Sequence, residues 1–220
     1  KIVLLLRTTR HLTLRQFYYY ILRRWLPSRH ARVSYTPCLR SSHASTQPCT
    51  ISGVYVNDTT FRFLNSQHDL CIRNNLIDWN PSPKSRLWNY NLHYFDYLRE
   101  AGRSEDNKGR LIQSWIESNP QGSRPGWEPF PTSLRIVNWI FYFQRSPATN
   151  IPCAWLDSLF LQVRWLERND ERHILANHYF ENLKALFFAG CFFDGKDANR
   201  WLNRTTREIP SQILEQTLSD

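Results

Sequence analysis

The 220-residue chain has no methionine, and no aspartate or glutamate precedes Asp58. Without methionine there is no initiator, so the sequence reads as a trimmed or partial chain. The acid-free stretch holds nine basic residues: Lys1, Arg7, Arg10, Arg15, Arg23, Arg24, Arg29, Arg32 and Arg40. They account for the whole net charge of +9 and leave 19 basic against 19 acidic residues in the remainder. A basic segment beside a neutral body favours an anionic partner, whether an acidic polysaccharide, a membrane surface or nucleic acid. No CxxC pair occurs among the five cysteines, at 38, 49, 71, 153 and 191. Without such a pair a zinc site is not expected; their odd number and irregular spacing allow one or two disulfides at most and read most simply as free thiols. The apolar run from Ile2 to Leu6 is too short for a signal core or a membrane span, so no leader is visible. No segment repeats another closely enough to suggest a solenoid.

What the chain has in excess is aromatic rings: nine Trp, ten Tyr and thirteen Phe. Rings of this kind fill a core, and they also stack on sugar faces in clefts. Composition does not separate the two uses.

Three stretches of different character follow one another. Residues 1–50 form a basic amphipathic helix, over Arg7 to Leu26 and ended by Pro27, then a linker rich in Ser, Thr, Pro, Arg and His. Residues 51–84 suggest a β-hairpin in which Val54 and Val56 lead in, Asn57-Asp58 turns, and Phe61 and Phe63 alternate out. Residues 85–220 carry a helical period. Helices are predicted over about Ser85 to Glu100, from Ser104 to just before Pro120, from Thr132 to Arg145, and from Pro152 to about Leu166. A fifth contains Ala176 to Gly190, with Gly190 as its stop, and a sixth begins at Asp197 and is kinked or broken at Pro210. Consecutive amphipathic helices on short links predict an all-α domain of antiparallel helix pairs.

The run Ala176-Asn177-His178-Tyr179-Phe180-Glu181 stands out within this pattern. Leu175, Tyr179, Leu183, Leu186 and Phe187 form its apolar stripe. His178 and Glu181, three apart, are neighbours on a helix face, and Asn177 sits beside them where backbone N–H groups are still free. Taken alone, the trio is either ordinary capping and solvation or a catalytic constellation.

The run resembles the Asn-His segment of the heparinase II/III-type polysaccharide lyases. Two further stretches resemble the same family, Leu87-Trp88-Asn89-Tyr90-Asn91-Leu92-His93-Tyr94-Phe95-Asp96-Tyr97 and Trp127-Glu128-Pro129-Phe130-Pro131-Thr132-Ser133-Leu134-Arg135-Ile136-Val137-Asn138-Trp139. The three occur in order and span about Phe61 to Asp220. The resemblance implies an incomplete α/α toroid of helical hairpins with a cleft across one end. It also implies cleavage of uronate-containing polysaccharide by β-elimination, a periplasmic or secreted location, and no cofactor or metal.

That chemistry removes a weakly acidic proton from C5 of a uronic acid. The carboxylate charge must be neutralised or hydrogen-bonded for the enolate-like transition state to form, a base must take the proton, and an acid must protonate the leaving O4. The resemblance assigns Asn177 to the substrate carboxylate, His178 to stabilising it or serving as base, and Glu181 to setting the His178 tautomer. Arg135 is a candidate carboxylate or sulfate ligand, with a structural ion pair to Glu128 as its alternative. Asn91, His93, Tyr94 and Trp127 are the candidate sugar contacts. The family's Tyr-His pair lies just past the region matched by Glu215 to Asp220, so the expectation is a truncated lyase, inactive alone. The rival expectation is a polysaccharide-binding or exopolysaccharide-assembly protein without chemistry. Nucleic acid is not the expected partner, and membrane contact through the basic N-terminus is the lesser alternative to a packed surface helix.

Overall fold

The computed structural model describes residues 14–25, 29–33, 35–40, 59–70, 72–73, 76–82, 84–145, 150–174 and 176–216. These residues are predominantly helical. Seven α-helices are described: α1 (Leu14–Trp25), α2 (Arg86–Tyr94), α3 (Glu105–Ser118), α4 (Pro129–Phe143), α5 (Cys153–Asn169), α6 (Ala176–Phe192) and α7 (Lys196–Gln216). Two small antiparallel sheets stand before α2: β1 (Thr60–Phe63) with β2 (Ser66–Asp69), and β3 (Ile72–Arg73) with β4 (Leu76–Ile77).

The expected lead-in strand and its turn at Asn57-Asp58 lie outside the described residues, and the hairpin described is the next one along the chain. β1 pairs with the strand that follows it, Phe61 opposite His68 and Phe63 opposite Ser66. Leu64 and Asn65 make the turn, both left-handed at φ 52° and 57°. Two successive positive φ values match the right-handed twist of the flanking strands. The expected alternation does hold: Phe61 and Phe63 are buried, against Tyr97 and Trp88 respectively.

Helix starts follow their caps. The Ser85 hydroxyl accepts from the Trp88 N–H and opens α2, and Ser104 does the same from Asn107 for α3, with Glu105 and Asp106 in its positively polarised first turn. Pro129 opens α4 three residues ahead of the expected Thr132, a position where its missing N–H costs nothing.

Three expected boundaries are corrected. The helix over 85–100 is broken at Phe95, which turns left-handed (φ 62°) so that its buried ring lies parallel to Trp79, and a 3₁₀ turn over Asp96–Arg99 follows. Gly190 does not end its helix. It lies inside α6, where an added Cβ would come 2.7 Å from Leu202 Cγ and 3.0 Å from the Ala198 carbonyl, so it is the point of close approach to α7. The reversal between the two helices uses Gly195 instead, at φ 97°. Pro210 lies inside α7 without breaking it.

Contacts fix the directions of the helices. Arg145 reaches Glu105 while Arg135 stacks on Trp115, so α4 runs against α3. Phe143 stacks on Trp155 and Arg135 meets Gln162, so α5 runs against α4. Asn182 bonds Ser133 and Phe192 meets Phe143, so α6 runs with α4. Tyr179 bonds Glu208 while Gly190 abuts Leu202, so α7 runs against α6. Helices α3 to α7 therefore alternate, as a hairpin array requires.

Residues 29–33 and 35–40, expected as linker, lie across the array as a strap. Asn169 accepts from the Arg29 N–H and donates to its carbonyl, both at 3.0 Å. Gln121 treats Ala31 in the same way, at 3.0 and 3.3 Å. Leu39 bridges to Phe193, and the Arg40 N–H donates to the Phe192 carbonyl. Two side-chain amides, the Arg168 guanidinium on the His30 carbonyl and one bridge thus supply partners to this segment's backbone. Among the described residues Cys38, Cys153 and Cys191 are free, and no helix is long and apolar enough to cross a membrane.

Candidate functional site

Because α4 and α6 run in the same direction, their first turns lie at one end of the array. Phe130 in α4 and His178 in α6 meet there, ring centres 4.4 Å apart. Tyr94, at the end of α2, approaches the same Phe130 edge-on at 6.0 Å. Tyr90, one turn earlier on α2, bonds the Glu128 carboxylate, which also takes Arg86 at 2.6 Å. One end of three helices thus presents an amide, an imidazole, aromatic rings and a carboxylate within a small area.

Asn177 is exposed, and the His178 side chain is 40 % exposed. The imidazole is held from behind. His178 Nδ1 lies 3.2 Å from Glu171, whose side chain is 10 % exposed, on the link between α5 and α6. With Nδ1 held, Nε2 is the nitrogen left for a ligand, and a carboxylate partner fixes both ring orientation and tautomer. The expectation that Glu181 would do this is corrected. Glu181 pairs with Lys184 at 2.6 Å, along its own helix. Helical spacing made Glu181 a neighbour of His178, but the chain entering α6 brings Glu171 in on the other side.

Burial favours the protonated form of the phenols around this end. Burial, then the Asp96 charge, pushes the Tyr94 hydroxyl up to about 12. Burial foremost raises Tyr179 to about 12 as well, while its Glu208 bond and the neighbouring Arg204 act in opposite senses. Tyr90 is raised further, by burial first and then by its Glu128 bond. Protonated phenols of this kind donate hydrogen bonds.

Four sequence candidates are not presented to a ligand as expected. Arg135 is fully buried. Its Nε donates to Gln162 at 2.7 Å, Nη1 to the carbonyls of Gly126 (2.8 Å) and His93 (3.2 Å), and Nη2 to Thr132 at 3.3 Å. Its pKa lies well below the usual arginine value because burial disfavours the charge. Its alternative partner, Glu128, is occupied by Arg86 and Tyr90. His93 is sealed beside it, accepting at Nδ1 from the Trp115 indole at 2.9 Å, and is lowered to about 3 by burial first and the Arg135 charge second. Trp127 is a core ring whose indole donates to the Asn119 carbonyl. Asn91 remains half-exposed, but its amide donates to the Leu87 carbonyl of its own helix. Tyr94 is largely buried, yet it is brought to the Asn177–His178 end through Phe130.

Cavities of about 860 and 580 Å³ lie elsewhere, the first under the strap beside Trp115, Trp127 and Leu161, the second between Arg110, Tyr142 and Trp155. Among the described residues no group of three His, Cys, Asp or Glu side chains has metal-binding geometry. The chain matches no protein family, no curated protein and no solved structure.

Proposed function

We propose that the helical array is part of an α/α toroid of a polysaccharide lyase acting on uronate-containing polymers by β-elimination. The observation that carries this reading is the open Asn177–His178 pair at the head of α6, with Glu171 behind the imidazole. In it, the Asn177 amide donates to the substrate carboxylate and lowers the cost of the charge that builds on it as C5–H breaks. With Nδ1–H held by Glu171, the His178 Nε2 lone pair takes the C5 proton. The C4–O4 bond then breaks, C4=C5 forms, and the imidazolium returns the proton to O4. Phe130 offers an apolar surface against which a sugar ring stacks. A polysaccharide substrate of this kind carries a periplasmic or secreted location with it.

The test is incubation of the protein, in a form that extends past Asp220 through the Tyr-His pair this reading requires, with uronate polymers, following the ultraviolet absorbance of the conjugated unsaturated uronide. Asn177→Ala and His178→Ala should each lower the rate about 100-fold or more. Retention of the polymer with no absorbance change would favour a binding protein without chemistry. Neither retention nor product would sink both.

A further inference from the structure

Helix α1 presents part of its apolar surface outward, with Leu22 half-buried. Tyr18, Ile21 and Trp25 fall on one face at helical spacing and are 59 %, 40 % and 81 % exposed. The helix meets the body through a different face, where Arg172 donates to the Tyr19 hydroxyl at 3.0 Å and lies over its ring at 5.4 Å. A helix docked only for packing turns its apolar stripe inward. This one anchors a polar contact and leaves a Trp, a Tyr and an Ile to solvent.

We propose that α1 lies in the interface of an anionic membrane, with Tyr18, Ile21 and Trp25 inserted among the lipid headgroups. The argument is charge together with side-chain type. The stretch before Asp58 carries nine basic residues and no acidic one, and Arg29 and Arg32, just past the helix, are exposed. Trp and Tyr favour the boundary where an apolar body meets a polar tip, and basic residues beside them add attraction to anionic lipid. At 12 residues the helix is about 18 Å long, against a hydrocarbon thickness of about 30 Å, so it lies along the interface and does not cross it. A polyanion such as nucleic acid or acidic polysaccharide would be met by arginines and offers no apolar layer for this face. The proposal is independent of the lyase reading.

The test is co-sedimentation of the full chain with phosphatidylcholine vesicles containing about one-third phosphatidylserine, and with pure phosphatidylcholine vesicles. The chain should pellet with the anionic vesicles and much less with the neutral ones. The triple variant Tyr18→Ser, Ile21→Ser, Trp25→Ser should bind about tenfold more weakly or worse. Its exposed positions predict an unchanged thermal unfolding curve, which separates lost binding from lost folding. Equal pelleting of the triple variant would overturn the proposal, as would absence of binding to anionic vesicles. Retention on DNA or heparin without vesicle binding would assign the segment to a polyanion. An oligomer that the triple variant turns into a monomer, again without vesicle binding, would assign the face to a second copy. Either result counts against the membrane.

Discussion

Arg135 lies over the Trp115 ring, its guanidinium carbon 3.9 Å from the ring centre, and among the described residues no carboxylate pairs with it. Its charge is held by carbonyl, amide and hydroxyl oxygens from four places in the chain and by the face of an indole. This makes Arg135 the joint at which the end of α2, the turn before α4, α4 itself and α5 are fastened. Removing it leaves several buried acceptors unpaired. Arg135→Ala should cost about 3–5 kcal/mol, and Arg135→Lys should recover little, because a point charge cannot serve separate acceptors as a planar fork does. Urea unfolding of the two variants checks this. A near-native midpoint for the lysine variant would contradict it.

His93 predicts a pH dependence. Its folded pKa is lowered to about 3 from an ordinary 6.5. Between those values the unfolded chain binds a proton that the folded chain refuses, so stability rises with pH across that window and is lost as pH falls through it. The contribution approaches about 1.4 kcal/mol per pH unit. The clearest reading comes between pH 6.5 and 5, above most carboxylate titrations. There the denaturation midpoint of the native chain should fall, and that of His93→Gln should stay flatter. Parallel slopes would mean that other groups set the dependence.

Gly190 offers a test in which propensity and packing disagree. Alanine in a helix interior is favoured over glycine by about 1 kcal/mol. At this position the new Cβ would overlap Leu202 Cγ and press on a backbone carbonyl of α7. Overpacking of this kind costs about 1–3 kcal/mol. Gly190→Ala should therefore lower thermal stability, whereas Gly195→Asn, at a positive φ with nothing within 4 Å, should be far milder. A stabilised Gly190→Ala would show that α6 and α7 separate easily.

Glu171 should act on the site through His178. Glu171→Gln keeps the shape but removes the charge that holds Nδ1. Nitrogen chemical shifts of His178 should then report a changed tautomer balance, while the unfolding midpoint moves by less than about 1 kcal/mol. If the lyase reading holds, the rate should fall about 10–100-fold with it. An unchanged His178 spectrum would remove Glu171 from its positioning role.

Much of the helical array was legible before any coordinates. Helices α3 and α5 carry a clean apolar period after a serine or proline start; α3 appears within a residue or two of its expected bounds, and α5 starts one residue after Pro152 and runs three past Leu166. What failed had no local signal. A phenylalanine and a leucine in left-handed conformation, Phe95 and Leu64, are held there by tertiary packing and hairpin geometry, against their own preference. At the candidate site, sequence singled out Asn177 and His178, which the fold leaves open. It could not tell that Arg135 and His93 face inward, because Gln162 and Trp115, which bond them, and the contact between the two themselves span 22 to 42 residues. Glu171 escaped notice for another reason, since it stands only seven residues from His178. It reaches His178 across a bend, where no helical spacing applies.

The strap has a practical bearing on how the molecule can be dissected. Limited digestion that removes α1 and stops short of Arg29 should leave a core that still refolds. Trimming beyond Arg40 would strip the cover from Trp165, Phe160 and Phe193. The shortest useful fragment for crystallisation or domain swapping therefore begins near Arg29, well ahead of where the helical periodicity begins.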